Sequence, residues 1–469
     1  MKQRPNIILV LADDLGYGDI GAFGNDVVRT PNIDDLAATG MAFTQHYSAS
    51  GLCAPARAAL LTGLYNHRTG AVDVPSNRGL DRIHLDCRTM GDVFTAAGYR
   101  TGLIGKWHNG LHDLRHHPNN RGFGEFAGFL NGGMDYYDWV LDRNGQPEPA
   151  DGRYLTDVFT DEAVAFIRRH RAEPFFLILS YNAPHEPHQA PEALIQPYRE
   201  VGHLTEQVAT VYAMIEQMDA GIGNVRRELA RQGLDETTII VFTSDNGPRL
   251  DGPLNRYNGP CRGAKGDSLE GGIRVPAIVR WPDNVPAGRH CDAMVHFCDW
   301  LPTLASLANT RHALPEPLDG TDISPLLLNP ERNVALPRIR CWQRNRYEPV
   351  PRCNAAMRDG PWKLVWPMRD GANGKEPDDG KSYRDGLTSA HRLMPVTNDL
   401  PGRDIAPPSE PQLYHIESDP AESRDVAAEH KQRVNDMANS WDAWFEDVTR
   451  EWKRIYRENT AEPPAGSKS

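Results

Sequence analysis

Four short runs of apolar residues, rich in β-branched and aromatic side chains, punctuate the first half of the chain: Ile7–Ala12, Tyr99–Gly105, Phe175–Tyr181 and Thr237–Thr243. Unbroken apolar runs of this length predict strands covered on both faces, as in a parallel sheet. Between them, apolar positions recur at helical spacing over Ile33–Thr39, Ala58–Leu64, Met90–Ala97, Thr156–His170 and Glu206–Gln232. Strand alternating with helix predicts an α/β domain with a mostly parallel central sheet, placed at residues 1–335. The remainder has a different rhythm. Ala355–Met357 and Trp362–Trp366 predict short strands around the turn Arg358-Asp359-Gly360-Pro361, and Gln412–His415 predicts another. Residues 369–410 are polar and rich in Gly, Asp and Pro, which predicts a long surface loop. Val426–Tyr456 carries Val434, Met437, Trp441, Trp444, Phe445 and Val448 near helical spacing, which predicts a long amphipathic helix. A smaller C-terminal domain at 336–469, a short antiparallel sheet with a packed helix, is therefore expected. No internal repeat interrupts this pattern.

Length and charge narrow the classes. A chain of 469 residues allows two unequal domains and a large core. Lys and Arg number 51 against 63 Asp and Glu, a formal net charge of −12, which argues against a dedicated nucleic-acid binder. An anionic small substrate stays compatible, because a basic pocket can sit in an acidic protein. No apolar run approaches the roughly 18 residues of a membrane helix, so no membrane partner is expected. The N-terminal run Ile7–Ala12 is too short for a signal-peptide core and lacks a following cleavage site, so the expected location is cytoplasmic, or periplasmic or secreted if a leader was removed. Seven irregularly spaced cysteines do not make a disulfide framework.

The chemistry gathers where the predicted strands end. The four runs deliver Asp13-Asp14, Lys106-Trp107-His108, Ala183-Pro184-His185 and Ser244-Asp245-Asn246-Gly247. Ligands of open α/β sheets bind outside the carboxyl ends of the strands, so these clusters are expected to converge. Asp13, Asp14, Asp245 and Asn246 all offer oxygen, and adjacent buried carboxylates repel one another unless a cation lies between them. Such donors suit Ca²⁺ or Mg²⁺ rather than Zn²⁺. Cys53-Ala54-Pro55-Ala56-Arg57 then opens a helix-prone stretch, which places Cys53 at a helix N-terminus with Arg57 one turn on. A group at position 53 so placed suits attack on an anionic tetrahedral ester. The residues leave Cys53 open as a thiolate nucleophile, a small buried hydrophobe or a modified side chain.

The ordered motifs carry a family resemblance. Cys53-x-Pro55-x-Arg57 with Leu61-Thr62-Gly63, Pro5-Asn6-Ile7 through Asp13-Asp14-Leu15-Gly16, Thr30-Pro31-Asn32-Ile33-Asp34, Gly105-Lys106-Trp107-His108, Glu270-Gly271-Gly272-Ile273-Arg274-Val275-Pro276 and Asp359-Gly360-Pro361-Trp362-Lys363 appear in one order along nearly the whole chain. This set resembles the type I, formylglycine-dependent sulfatases of the alkaline phosphatase superfamily. The resemblance implies an alkaline-phosphatase-like fold and hydrolysis of a sulfate monoester, of an aryl alcohol or a sugar, to alcohol and inorganic sulfate. It implies that a separate formylglycine-generating enzyme oxidises Cys53. The hydrated aldehyde attacks sulfur, and its second hydroxyl later expels the sulfate. By the same match, Asp13, Asp14, Asp245, Asn246 and residue 53 hold the metal, Ca²⁺ ahead of Mg²⁺. Arg57 holds the diol, Lys106 and Lys265 bind sulfate, His108 takes the diol proton, and His185, ahead of His188, protonates the leaving oxygen.

Two other readings are weighed: a phosphonate monoester hydrolase or phosphodiesterase of the same superfamily, and a non-catalytic sulfate-binding protein with an unmodified Cys53. The paired Asp13-Asp14 and the Gly-Lys-Trp-His block favour sulfate over phosphonate, and a binder has no need of the acid–base residues. His112, His116 and His117 are expected as loop or pocket-rim residues that, with the tail, frame a saccharide. Asp135-Tyr136-Tyr137 is expected near substrate, Asn109 and Cys261 are expected to line the cleft, and Arg274 is expected to be structural.

Overall fold

The computed structural model describes residues 4–330, 334–374, 379 and 400–460. Its centre is a ten-stranded sheet. Five parallel strands form the middle in the spatial order Glu125–Phe129, Arg100–Lys106, Phe175–Ser180, Asn6–Ala12 and Thr238–Ser244, so their carboxyl ends share one edge. Beyond Thr238–Ser244 the strand Ala277–Arg280 runs antiparallel, followed by Met41–Phe43 and Arg289–Cys291. The hairpin Val140–Arg143 and Gln146–Pro149 closes the other side.

The first strand is apolar throughout because both of its faces are covered. Ile8, Val10 and Ala12 face a layer that includes the helices Leu155–His170 and Glu206–Arg231. Ile7, Leu9 and Leu11 face a second layer that includes Cys53–Thr62 and Trp300–Leu307. The four predicted strands and five predicted helices each correspond to an element, displaced by a few residues at most; the helix whose apolar spacing begins at Ala58 starts at Cys53, as Pro55 indicates. It ends at Thr62, where Gly63 takes a left-handed conformation, φ 70°, and its N–H closes on Ala59 O. Six further strands of the sheet were not expected. They are three to five residues long or polar, and too short a window separates strand from loop.

Residues beyond 336 build a four-stranded antiparallel sheet in the order Ile339–Gln343, Ala355–Asp359, Trp362–Trp366 and Gln412–His415. Met437 and Trp441 of the helix Lys431–Thr460 pack on one face. Trp342, Ala356 and Val365 on the other face press against Tyr47 and Ile273 of the large sheet's surroundings. The long helix starts at Lys431 rather than Val426, because Ala427–Glu429 forms a separate short turn. The expected loop 369–410 falls largely outside the described residues. Among the described residues, no helix is long and apolar enough to cross a membrane.

Candidate active site

The shared carboxyl edge brings the predicted residues together from six separate stretches of chain. Asp13 and Asp14 leave the first strand, Lys106 ends and His108 follows a neighbouring strand, His185 follows another, and Asp245 and Asn246 follow the fourth. Cys53 begins its helix beneath the same edge, and Lys265 enters from a loop. Asp13, Asp14, Asp245, Asn246, Arg57 and Lys106 are buried. Cys53, His108, His185 and Lys265 reach a cleft of about 610 Å³ above them.

Ion pairs knit the floor. Lys106 Nζ lies 2.7 Å from Asp13 Oδ2, Lys265 Nζ 2.7 Å from Asp14 Oδ2, and Arg57 Nε 2.8 Å from Asp245 Oδ2. Arg57 Nη1 also donates to Lys106 O at 3.0 Å and to Ser180 Oγ at 2.7 Å, while Ser180 Oγ donates to Lys106 O. Asn246 Nδ2 donates to Asp14 Oδ1 at 2.7 Å, and the Asp14 N–H donates to Asp245 Oδ1 at 3.2 Å. Asp14 and His108 hold φ values of 62° and 58°, a left-handed backbone that non-glycine residues adopt mainly where a site over-determines it.

The charges respond to this crowding. Burial and the adjacent Asp13 carboxylate push Asp245 up to about 6. Burial would raise Asp14 too, but the Lys265 ammonium and the nearby His185 hold it far below the usual carboxylate range. Burial lowers His185, and Lys265 lowers it further, to about 3. Burial and Lys106 likewise keep His108 neutral. Burial raises the Cys53 thiol despite the two lysines, which disfavours a plain thiolate nucleophile.

The donor set fits a hard cation. Asp13 Oδ1 and Asn246 Oδ1 are buried oxygens with no hydrogen-bond partner among the described residues. Ligand atoms of Asp13, Asp14 and His185 lie within 4.8 Å of one another. Acceptor oxygens left bare beside three carboxylates are the arrangement that Ca²⁺ or Mg²⁺ satisfies.

Several expectations need correction. Asn109 does not line the cleft: it is fully buried, and its Nδ2 donates to Ala54 O and Asp81 O, tying down the start of the Cys53 helix. Cys261, His112, His116 and His117 are also absent from the cleft wall. All three histidines are buried, and His117 Nε2 sits 3.1 Å from Asp142 Oδ2. Nor do Asp135, Tyr136 and Tyr137 line it. Tyr136 OH instead donates to the carbonyls of Asn182 and His185 and so positions the His185 loop. His185, not His188, faces Asp14, with Nε2 3.8 Å from Oδ2 while its Nδ1 donates to Glu186 O. Arg274 is structural: its Nε donates to Thr44 O and its guanidinium covers Tyr17.

The cleft also holds residues that sequence reasoning missed. Asn131 and Gly132 follow the fifth parallel strand, whose run Glu125–Phe129 is broken by a glycine and so carries a weak strand signal. Arg344, Arg346 and Asn373 come from the C-terminal sheet's loops, and no local pattern marks them.

Comparison with known proteins agrees over nearly the whole length. A family model described as "Sulfatase" matches residues 5–310. Steryl-sulfatase of Mus musculus is 30% identical over 538 residues, spanning 94% of this chain and 81% of that protein. Arylsulfatase A of Homo sapiens is 32% identical over 461 residues, spanning 90% and 83%. The solved structure of Ps i-CgsB in complex with k-i-k-neocarrahexaose matches with a TM-score of 0.78 and 31% identity over 98% of both chains.

Proposed function

This chain belongs to the sulfatase family and is a sulfuric ester hydrolase; we propose that it works through residue 53, with Cys53 oxidised to formylglycine by a separate maturation enzyme. The observation that carries this reading is the position of Cys53, at the N-terminus of a buried helix, open to the cleft and above three paired cations and carboxylates. The hydrated aldehyde supplies a nucleophile that a buried thiol does not. Asp13, Asp14, Asp245 and Asn246 would hold Ca²⁺, which when bound polarises a sulfate oxygen and offsets the carboxylates.

The remaining work falls to the chain's own side chains. Lys106 and Lys265 place positive charge where the sulfonyl oxygens gain negative charge, a preorganised electrostatic stabilisation. Arg57, fixed by Asp245 and Ser180, presents its guanidinium beneath residue 53. His185 is oriented by its Nδ1–H bond to Glu186 O, which leaves Nε2 to give a proton to the leaving alcohol. Burial and, after it, the Lys265 ammonium keep this imidazole neutral in the free site; an anionic sulfate beside Lys265 offsets the ammonium and favours the Nε2 protonation that the role requires. His108, neutral and lining the same cleft as residue 53, with Nδ1 free of a partner among the described residues, is the group we assign to accept a proton from residue 53. A saccharide sulfate is the favoured substrate class, supported by the charged cleft wall and by the oligosaccharide bound to the 31%-identical relative. We place the catalytic unit at residues 1–335, with 336–469 completing the cleft.

Peptide mass across Cys53, after co-expression with a formylglycine-generating enzyme, tests the reading together with sulfate release from 4-nitrophenyl sulfate. Conversion to the aldehyde, turnover and a thermal midpoint that rises with added Ca²⁺ are expected. An unmodified peptide beside an active maturation enzyme would remove the proposed nucleophile.

A further inference from the structure

The roles above use the cleft floor but leave its outer wall unexplained. Three arginines line that wall, Arg249, Arg344 and Arg346. Two have carboxylate partners: Arg249 pairs with Glu186 and Asp251, and Arg346 Nη1 lies 3.2 Å from Asp73 Oδ1. Arg344 has none among the described residues. Its Nη1 donates to Asn373 Oδ1 at 3.0 Å, its Nε is buried without a partner, and the residue is only 5% exposed. Burial lowers the guanidinium and Arg346 adds to that, while Asp73 and Asp267 oppose it from beyond ion-pair distance; the balance brings it down to about 10, so it stays cationic at neutral pH. A buried cation that no carboxylate touches leaves its N–H groups short of a charged acceptor, which an anion arriving in the cleft can supply.

The placement is rigid. The Arg344 N–H donates to Asn354 O at 3.2 Å, and Asn354 Nδ2 donates to both Arg344 O at 2.9 Å and Gly266 O at 2.6 Å. Gly266 follows Lys265, and a Cβ built on it would lie 3.6 Å from Arg344 Nη1. Arg344 is thus clamped beside the lysine assigned to the reacting sulfate, yet on a different element. We propose that Arg344, with Asn373 and Arg346, forms a second anion subsite that binds a sulfate or carboxylate on the alcohol part of the substrate. The preferred substrate is then a sulfate ester carrying at least two anionic groups. This rests on the sulfatase reading.

Competitive inhibition of 4-nitrophenyl sulfate hydrolysis by the mature full-length enzyme reads the subsite whatever sulfate position is cleaved. The inhibitors are monosulfated hexosamines and galactoses, their disulfated counterparts, and sulfated disaccharides with or without a uronate. The expected result is about tenfold or tighter inhibition by a doubly charged member over its singly charged partner, shrinking as NaCl rises. That advantage disappears in Arg344→Gln and is partly kept in Arg344→Lys; a second sulfate and a uronate are told apart by which pair shows it. Equal inhibition across every pair, an advantage that survives Arg344→Gln, or a uniform loss for both members of each pair overturns the proposal, the last by assigning Arg344 to the reacting sulfate. If Arg344→Gln does not fold, Asn373→Ala and the wild-type ratio decide. An enzyme that carries formylglycine yet cleaves no sulfate would sink the sulfatase reading instead, while calorimetric titration of the same saccharides would still read the subsite.

Discussion

At the scale of single residues, the site is a set of charges that tolerate burial only together. Lys106 is fully enclosed and its ammonium meets Asp13 at 2.7 Å. Lys106→Met is expected to lower kcat on 4-nitrophenyl sulfate by about 10²–10³. It should also depress the thermal midpoint, since Asp13 is left buried without its partner. An unchanged kcat would remove Lys106 from the machinery. A second group of single residues governs acid stability away from the site. Burial lowers His46 to about 3, His67 to about 4 and His296 well below its ordinary value, and all three are neutral in the fold. Their folded-state values lie below the unfolded value of about 6.5, so the stability they contribute is present above that pH. It is lost as pH falls, by about 1.4 kcal/mol per pH unit for each histidine that only the unfolded chain protonates. Urea midpoints should therefore drop steeply between pH 7 and 5, and less so in His67→Gln; a flat profile would contradict this.

At the scale of elements, the strand ends determine what the clusters can reach, and glycine determines how closely they approach. A Cβ on Gly132 would sit 2.6 Å from His108 Cε1, so Gly132→Ala is expected to displace the imidazole. The predicted effect is a fall in kcat of about 10²-fold with little change in thermal midpoint. Gly105 makes a different contact. It has φ 107°, and its Cβ would fall 1.8 Å from the Ser180 carbonyl oxygen of the adjacent strand. Backbone cannot rotate aside as a ring can, so Gly105→Ala should destabilise the sheet by about 3 kcal/mol or more. The opposite ranking of the two variants in a melting experiment would overturn both assignments. The Cys53 helix was readable in advance because Pro55 marks its first turn. The paired strands Val140–Arg143 and Gln146–Pro149 were not, because polar residues and two prolines hide a hairpin whose stability comes from its neighbours.

At the scale of the whole molecule, the C-terminal part is joined to the rest through buried polar and aromatic contacts. Lys363 Nζ meets Glu270 at 2.9 Å, Trp342 Nε1 donates to Ser48 O, and Trp444 packs edge-on against Tyr65. Residues 1–335 expressed alone would expose these apolar faces to water and cost Glu270 its Lys363 partner, leaving it, among the described residues, only Arg274 at 3.6 Å and the Tyr47 hydroxyl. The isolated segment is expected to show no cooperative unfolding transition; a sharp one would make the large domain autonomous. The amino-acid sequence by itself determined the parallel core and the family motifs, and it put forward the ten residues proposed for catalysis and metal binding: nine lie at a predicted strand end or in a motif of fixed spacing, and Lys265 follows from the family resemblance alone. It also marked Asn109 and the 112–117 histidines as cleft residues, and the fold instead buries them. Only the tertiary structure decided what forms the cleft wall. Arg344, Arg346 and Asn373 line one cleft with Lys265 across about 80 to 110 positions of chain, and a juxtaposition of that kind depends on how two sheets pack, which no local pattern of hydrophobic and polar residues encodes.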